Sequence, residues 1–167
     1  TIVRGGSLME QGKIVVGVAH DTKISKLTIS RVEDQPGIAA KIFAKLAEAG
    51  VNVDMIVQSA SKEGLADISF TVNKEDAILA EEVTTAMMKE LNAQKVERDD
   101  HKAKVSIVGT GMISNPGVAA KMFNGLAAEK INIEMISTSD ISISTVISEN
   151  DVERAVQTLH DVFNLEQ

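Results

Sequence analysis

Residues 34–56 read DQPGIAAKIFAKLAEAGVNVDMI, and residues 114–136 read SNPGVAAKMFNGLAAEKINIEMI. The offset is constant: Pro36 and Pro116, Phe43 and Phe123, Asn52 and Asn132, Met55 and Met135 each differ by 80. A repeat at fixed spacing sets the architecture before any local motif does. It predicts two copies of one module, each with a Pro-Gly turn, a helix and an Asn-containing strand. Modules of roughly 75 residues are near the lower limit for an independent core, so they are expected to pack against each other or against another chain.

Outward from the first copy, residues 26–32 (KLTISRV) alternate and predict a strand. Leu27, Ile29 and Arg31 fall on one face, Thr28, Ser30 and Val32 on the other. A helix is expected from Pro36 to Ala49, with Ile38, Ile42, Leu46 and Ala49 on one side. Asp34 is its expected cap, Pro36 belongs to its first turn, and Gly50 ends it in the left-handed position. Strands follow at 51–59 and 67–72 around a Lys-Glu-Gly hairpin turn. A helix over 75–91 and a strand at 95–98 complete the module. The order βαββαβ is the ferredoxin-like, split βαβ pattern.

The charged stretch 97–104 reads as a solvated connector, and Asp99-Asp100 as a turn. The second copy then offers strands at 103–109, 131–139 and 141–147, with helices at 116–129 and 151–163. Its hairpin is five residues shorter, because Ile68 aligns with Ile143 at an offset of 75. Only residues 164–167 follow its last helix, too few for a fourth strand. The strand candidate 14–19 (IVVGVA) is left over. Main-chain groups at a central strand need partners, so 14–19 is expected to pair with 105–108. The expected fold is α+β. Two ferredoxin-like domains are predicted, the first (24–99) inserted within the second (13–20 plus 102–165), with 1–12 as a linker.

Composition excludes several classes of function. A net charge of −7 is wrong for a general nucleic-acid binder, which needs a basic surface. No apolar run reaches the length of a membrane span. The start is too polar for a signal peptide. Without Cys there is no disulfide and no thiol catalysis. A cytoplasmic protein is expected. No catalytic residue and no metal site is predicted: His20, His101 and His160 are far apart, none beside a second ligand at metal spacing. Gly109-Thr110-Gly111 lacks the third Gly of a dinucleotide fingerprint.

The repeated loop, helix and strand offer better chemistry. The start of a helix presents amides without helical partners and suits a carboxylate. Gly37, Ile38 and Ala39 supply such amides in one copy, and Gly117, Val118 and Ala119 in the other. Asn52 and Asn132 begin the neighbouring strands, with Gln58 and Ser59, or Thr138 and Ser139, further along. Asp34 is placed to accept an ammonium. Together these groups suit a small zwitterion such as a free amino acid, although caps and turns draw on the same residue types.

With these residues in view, the chain resembles the regulatory region of bacterial aspartate kinase, with paired ACT domains. The resemblance is carried by residues 34–58, 67–72, 104–112 (KVSIVGTGM), 115–123 (NPGVAAKMF) and 131–147 (INIEMISTSDISISTVI). It spans almost everything from Gly12 to Phe163. In that family one ACT domain is inserted in the other. The kinase phosphorylates L-aspartate with ATP at the head of lysine, threonine and methionine synthesis, and the ACT region gives feedback inhibition by end-product amino acids. ATP and Mg would bind a kinase domain whose Lys-Phe-Gly-Gly opening has no counterpart here. The chain is therefore expected to be inactive alone. It reads as a separately made regulatory subunit, for which Met9 is a possible start, or as an excised C-terminal region. Its expected partners are a second copy, through the ACT domains, and an aspartate kinase catalytic domain or alpha subunit.

The resemblance places a threonine-type effector pocket on Asp34, Ile38, Ala39, Asn52 and Gln58, with contributions from the partner module and with threonine and/or lysine as the ligand. A second pocket would involve Asn115, Val118, Ala119, Asn132, Ser137 and Ser139. There Ser114 replaces Asp34 and Thr138 replaces Gln58, so the two pockets need not take the same amino acid. Two other readings stand beside this one: a free-standing ACT sensor without a kinase, and a structural dimerisation module.

Overall fold

The computed structural model describes residues 14–61 and 63–165, so the linker expected over 1–12 lies outside it. The strands are β1 (Val15–Glu33), β2 (Val53–Ala60), β3 (Leu65–Asn73), β4 (Lys95–Gly109), β5 (Met135–Thr138) and β6 (Ser142–Ser148). The helices are α1 (Ile38–Glu48), α2 (Ala77–Ala86), α3 (Met88–Leu91), α4 (Pro116–Ala128) and α5 (Val152–Val162). The helix expected over 75–91 is thus a short 3-10 turn, α2 and α3, interrupted at Met87. The described chain divides into a unit of 23–102 and a unit of 14–22 with 103–165. The strand order is β2-β3-β1-β4 in the first and β1-β4-β6-β5 in the second. Each is the α+β, ferredoxin-like arrangement expected from the repeat.

Two strands are longer than the sequence pattern indicated. The expected strands 14–19, from Val15 on, and 26–32 belong to one strand, β1, and the expected connector 97–104 lies inside β4. The charge pattern suggests a solvated stretch, whereas the structure pairs these charges. Ser25 Oγ donates to Asp100 Oδ1 at 2.7 Å. Arg98 stands 3.7 Å from both Glu81 and Asp100. Asp99 Oδ1 accepts the His101 amide at 2.8 Å, and its carboxylate lies 3.5 Å from Lys102. Burial pushes the Asp99 pKa up, but the His101 amide and the Lys102 charge outweigh it and hold the carboxyl below its usual 3.8. Laterally paired charges are compatible with a strand, and hydropathy along the chain does not detect the pairing.

A third difference concerns Val32. Plain alternation sets it opposite Leu27 and Ile29, yet all three are fully buried. The β1–β3 register shifts between Ile29 and Val32, and Arg31 takes φ 55°. The extra residue forms a β-bulge that turns Val32 back to the core side. Eighty positions on, Gly111 takes φ 70° and Met112 after it is buried. Strand β2 also slips, between Val53 and Ile56, and the buried Thr71 hydroxyl accepts the Met55 amide at 3.0 Å.

Each unit has its own core. Leu27, Ile42, Leu46, Ile68 and Phe70 centre the first, where Phe43 meets Phe70 edge-on at 5.5 Å and 82°. Val105, Ile107, Met122, Leu126 and Leu159 centre the second, and Val15 is part of it. There the Thr110 amide donates to the Ile14 carbonyl at 3.1 Å. Gly109 permits that approach: a Cβ on it would overlap the Ile14 carbonyl oxygen and lie 2.6 Å from its carbon.

Candidate functional site

The Pro-Gly pair does different work in the two copies. In the first, Gln35 to Ile38 form a turn in which the Ile38 amide donates to Gln35 O at 3.2 Å. Gly37 takes φ 91° and ψ −5°, the third-position geometry of a type II turn with Pro before it. Helix α1 therefore starts at Ile38, not at Pro36, and no side chain caps it. Asp34 is not its cap. In the second copy Pro116 is itself the first helical residue, Asn115 is the N-cap residue, and the Val118 amide returns to Asn115 O at 3.0 Å. The amides of Ile38 and Val118, expected to be unpaired, are each occupied in a turn. That of Ala39 remains in the first helical turn, where the α-ladder has no partner for it, whereas Ala119 lies four residues after the N-cap Asn115, whose carbonyl is its ladder partner.

In the 23–102 unit the structure brings two predicted side chains together. Gln58 Nε2 donates to Asp34 Oδ1 at 3.5 Å, a long bond between exposed groups. The Asp34 amide is anchored to Gly64 O at 2.9 Å, so the β2–β3 hairpin holds the loop that leads into α1. Asn52 is exposed one residue before β2, and its side chain bonds neither Asp34 nor Gln58. Ile38 and Ala39 are half-buried at the helix start and give this place an apolar wall. The arrangement presents an acceptor, an amide and helix-start N–H groups on neighbouring elements.

In the other unit two of the predicted residues, Asn115 and Ser139, are turned to structural tasks. Asn115 Nδ2 donates to Gly111 O at 2.7 Å. Ser139 Oγ accepts the Ile141 and Ser142 amides at 3.3 and 3.2 Å, closing the tight β5–β6 turn. Ser137 and Asn132 are exposed, and Ser137 pairs with Ser144 across β5 and β6.

Sequence separation concealed one cluster. His20 on β1 and His160 on α5 line the same cavity of about 300 Å3, with Val152, Glu153, Val156 and Gln157. His160 Nδ1 is buried without a hydrogen-bond partner. Among the described residues no group of three His, Cys, Asp or Glu is set to hold a metal ion. No described helix is long and apolar enough to cross a membrane.

Comparison with known proteins bears on these sites. The profile of the ACT domain matches residues 27–92, and a second ACT domain profile matches 105–163. An aspartokinase of Mycolicibacterium smegmatis is 43% identical over 99% of this chain, which spans 40% of that protein's length. The ligand-free regulatory subunit of aspartate kinase from Thermus thermophilus is 41% identical, with a TM-score of 0.86 over 90% of this chain and 99% of that one. Escherichia coli aspartokinase III in complex with lysine and aspartate, a T-state structure, is 25% identical, with a TM-score of 0.68 over 92% of this chain and 34% of that one.

Proposed function

This chain belongs to the aspartate kinase family, as a regulatory part built of two ACT domains, and from that premise we propose that it senses an end-product amino acid and represses a kinase partner. The carrying observation is the Asp34–Gln58 pair beside the start of α1. It suits the ammonium and carboxylate of a small zwitterion, with Ile38 and Ala39 against its side chain. Threonine is the first candidate. Lysine is the second candidate, supported by the lysine complex of the E. coli relative. The two copies differ at Ser114 and Thr138, which favours unequal occupancy.

The partner we infer is an aspartate kinase catalytic domain or alpha subunit, which would hold ATP and Mg and phosphorylate L-aspartate. This chain alone would be inactive, since no predicted group is catalytic. A homodimer is the proposed assembly. Strands β2 and β5 end the strand order and expose Ile56 and Ile136, and an unpaired edge is a ready template for pairing with a second copy. We further infer that domain 24–99 is inserted in a domain of 13–20 plus 102–165, a reading that the division of the described chain supports. A cytoplasmic location follows for a sensor of free amino acids.

Inhibition requires that the ligand favour the inhibited arrangement over the active one; equal binding to both regulates nothing. Gln58→Ala tests the site. Removing one side chain from a polar contact costs roughly 1–3 kcal/mol, or about 5- to 150-fold in affinity. Threonine titration calorimetry should show that loss with the fold intact. In a complete kinase the same change should relieve inhibition and spare activity. If Gln58→Ala and Asn52→Ala both bind threonine like the parent, the site assignment is wrong.

A further inference from the structure

The two copies differ at one residue where the backbone makes the same demand. Arg31 holds φ 55° and its counterpart Gly111 holds φ 70°. A side chain in this left-handed region is strained, and glycine is not. The second copy carries the relaxed residue, the first the strained one.

The Arg31 side chain shows what the strain supports. Its Nη2 donates to Glu63 Oε2 at 3.1 Å, and its amide donates to Asp67 Oδ1 at 2.8 Å. Glu63 precedes Gly64, whose carbonyl accepts the Asp34 amide at 2.9 Å. Asp34 in turn accepts from Gln58 at 3.5 Å. A continuous run of contacts leads from the bulge, through the hairpin, to the two polar side chains of the sensing site. The second copy has no such run: its hairpin is shorter, and Ser139 and Ser142 close it on each other at 3.2 Å. The Arg31–Glu63 pair is exposed, at 51% and 69%. Exposed pairs return less stability than left-handed strain withdraws. Stability alone therefore favours glycine at position 31, as at 111.

We propose that Arg31 is a positioning residue for the sensing site of the 23–102 unit, fixing the hairpin through Glu63 so that Asp34 is presented to Gln58. The proposal rests on the sensing function proposed above. It makes the two copies unequal: the unit with the strained arginine has the ordered site.

Arg31→Gly in the full chain tests it with three readouts: threonine calorimetry, thermal melting, and hydrogen exchange at the Asp34 amide. The melting temperature should hold or rise, threonine affinity should fall about 3- to 5-fold, the scale of one exposed charged pair, and Asp34 exchange should accelerate. Glu63→Gln should reproduce the affinity loss without any gain in melting temperature. The double variant should lose no more than either single one, because the two residues act in one run. Unchanged Asp34 exchange, or unchanged threonine affinity, overturns the proposal. So does a parallel fall in melting temperature and affinity, which marks Arg31 as a structural residue only. If the parent chain binds neither threonine nor lysine while Arg31→Gly still accelerates Asp34 exchange, the positioning role stands and the sensing function is what fails.

Discussion

Replacing Gly109 with alanine should detach the first residues of β1 from the second core. The added Cβ would sit 2.6 Å from the Ile14 carbonyl carbon and 3.0 Å from Met112 Cε. The Ile14 clash is with backbone, so no rotamer change relieves it. Strand β1 must retreat, which loses the Thr110–Ile14 hydrogen bond, worth about 0.5–1.5 kcal/mol. It also draws Val15, 4% exposed, toward water, at about 1.5–3 kcal/mol for a full Val side chain. A destabilisation of about 2–4 kcal/mol is expected. Urea unfolding followed by circular dichroism measures it, and hydrogen exchange at residues 15–18 and 105–108 locates it. Gly117→Ala is the control: a Cβ there meets nothing within 4 Å, and its place in α4 favours alanine over glycine. A Gly109→Ala protein with the parent's urea midpoint and unchanged exchange would refute the claim that Gly109 admits β1.

Two further outcomes are expected. The depressed Asp99 carboxyl contributes stability that is present above its unfolded value of 3.8 and lost as pH falls through its lower folded value. Asp99→Asn should therefore melt below the parent at pH 6, the gap closing as melts are repeated toward pH 2.5; a gap independent of pH contradicts this. Ile56→Lys combined with Ile136→Lys should shift the chain to monomer in sedimentation at tens of micromolar protein, because both side chains are exposed on end strands. An unchanged sedimentation coefficient counts against those edges as the dimer contact.

The fold was legible because the repeat was. Helical spacing in Ile38, Ile42 and Leu46 and alternation in Ile68, Phe70 and Val72 mark faces that the structure buries or half-buries. What escaped was information that lies between elements. The bulge at Arg31 shows only when Val32 has to reach the same core as Ile29, and an arginine gives no local sign of positive φ. The identity of position 111 was the available signal: glycine in one copy hints at the same backbone in the other. The length of β4 was hidden because its charges find partners on Ser25, Glu81 and Lys102, remote or adjacent. At the candidate site, residue types were readable but occupancy was not. Asp34 looked like a cap, and the Pro-Gly turn that displaces it from that role depends on a left-handed Gly37, which the sequence permits without requiring. The shared cavity of His20 and His160 joins residues from opposite ends of the chain, which no spacing rule connects.

The sparse aromatic content makes this molecule its own spectroscopic reporter. Phe43 and Phe70 lie in one unit, Phe123 and Phe163 in the other, and there is no Trp or Tyr to obscure them. The edge-on Phe43–Phe70 pair must shift its ring protons by mutual ring current, while Phe163 carries the Lys121 ammonium 5.4 Å from its centroid. Four phenylalanine spin systems therefore divide into two unlabelled channels, one per ACT domain. A titration that moves one channel and not the other would identify the responding domain without a single engineered probe.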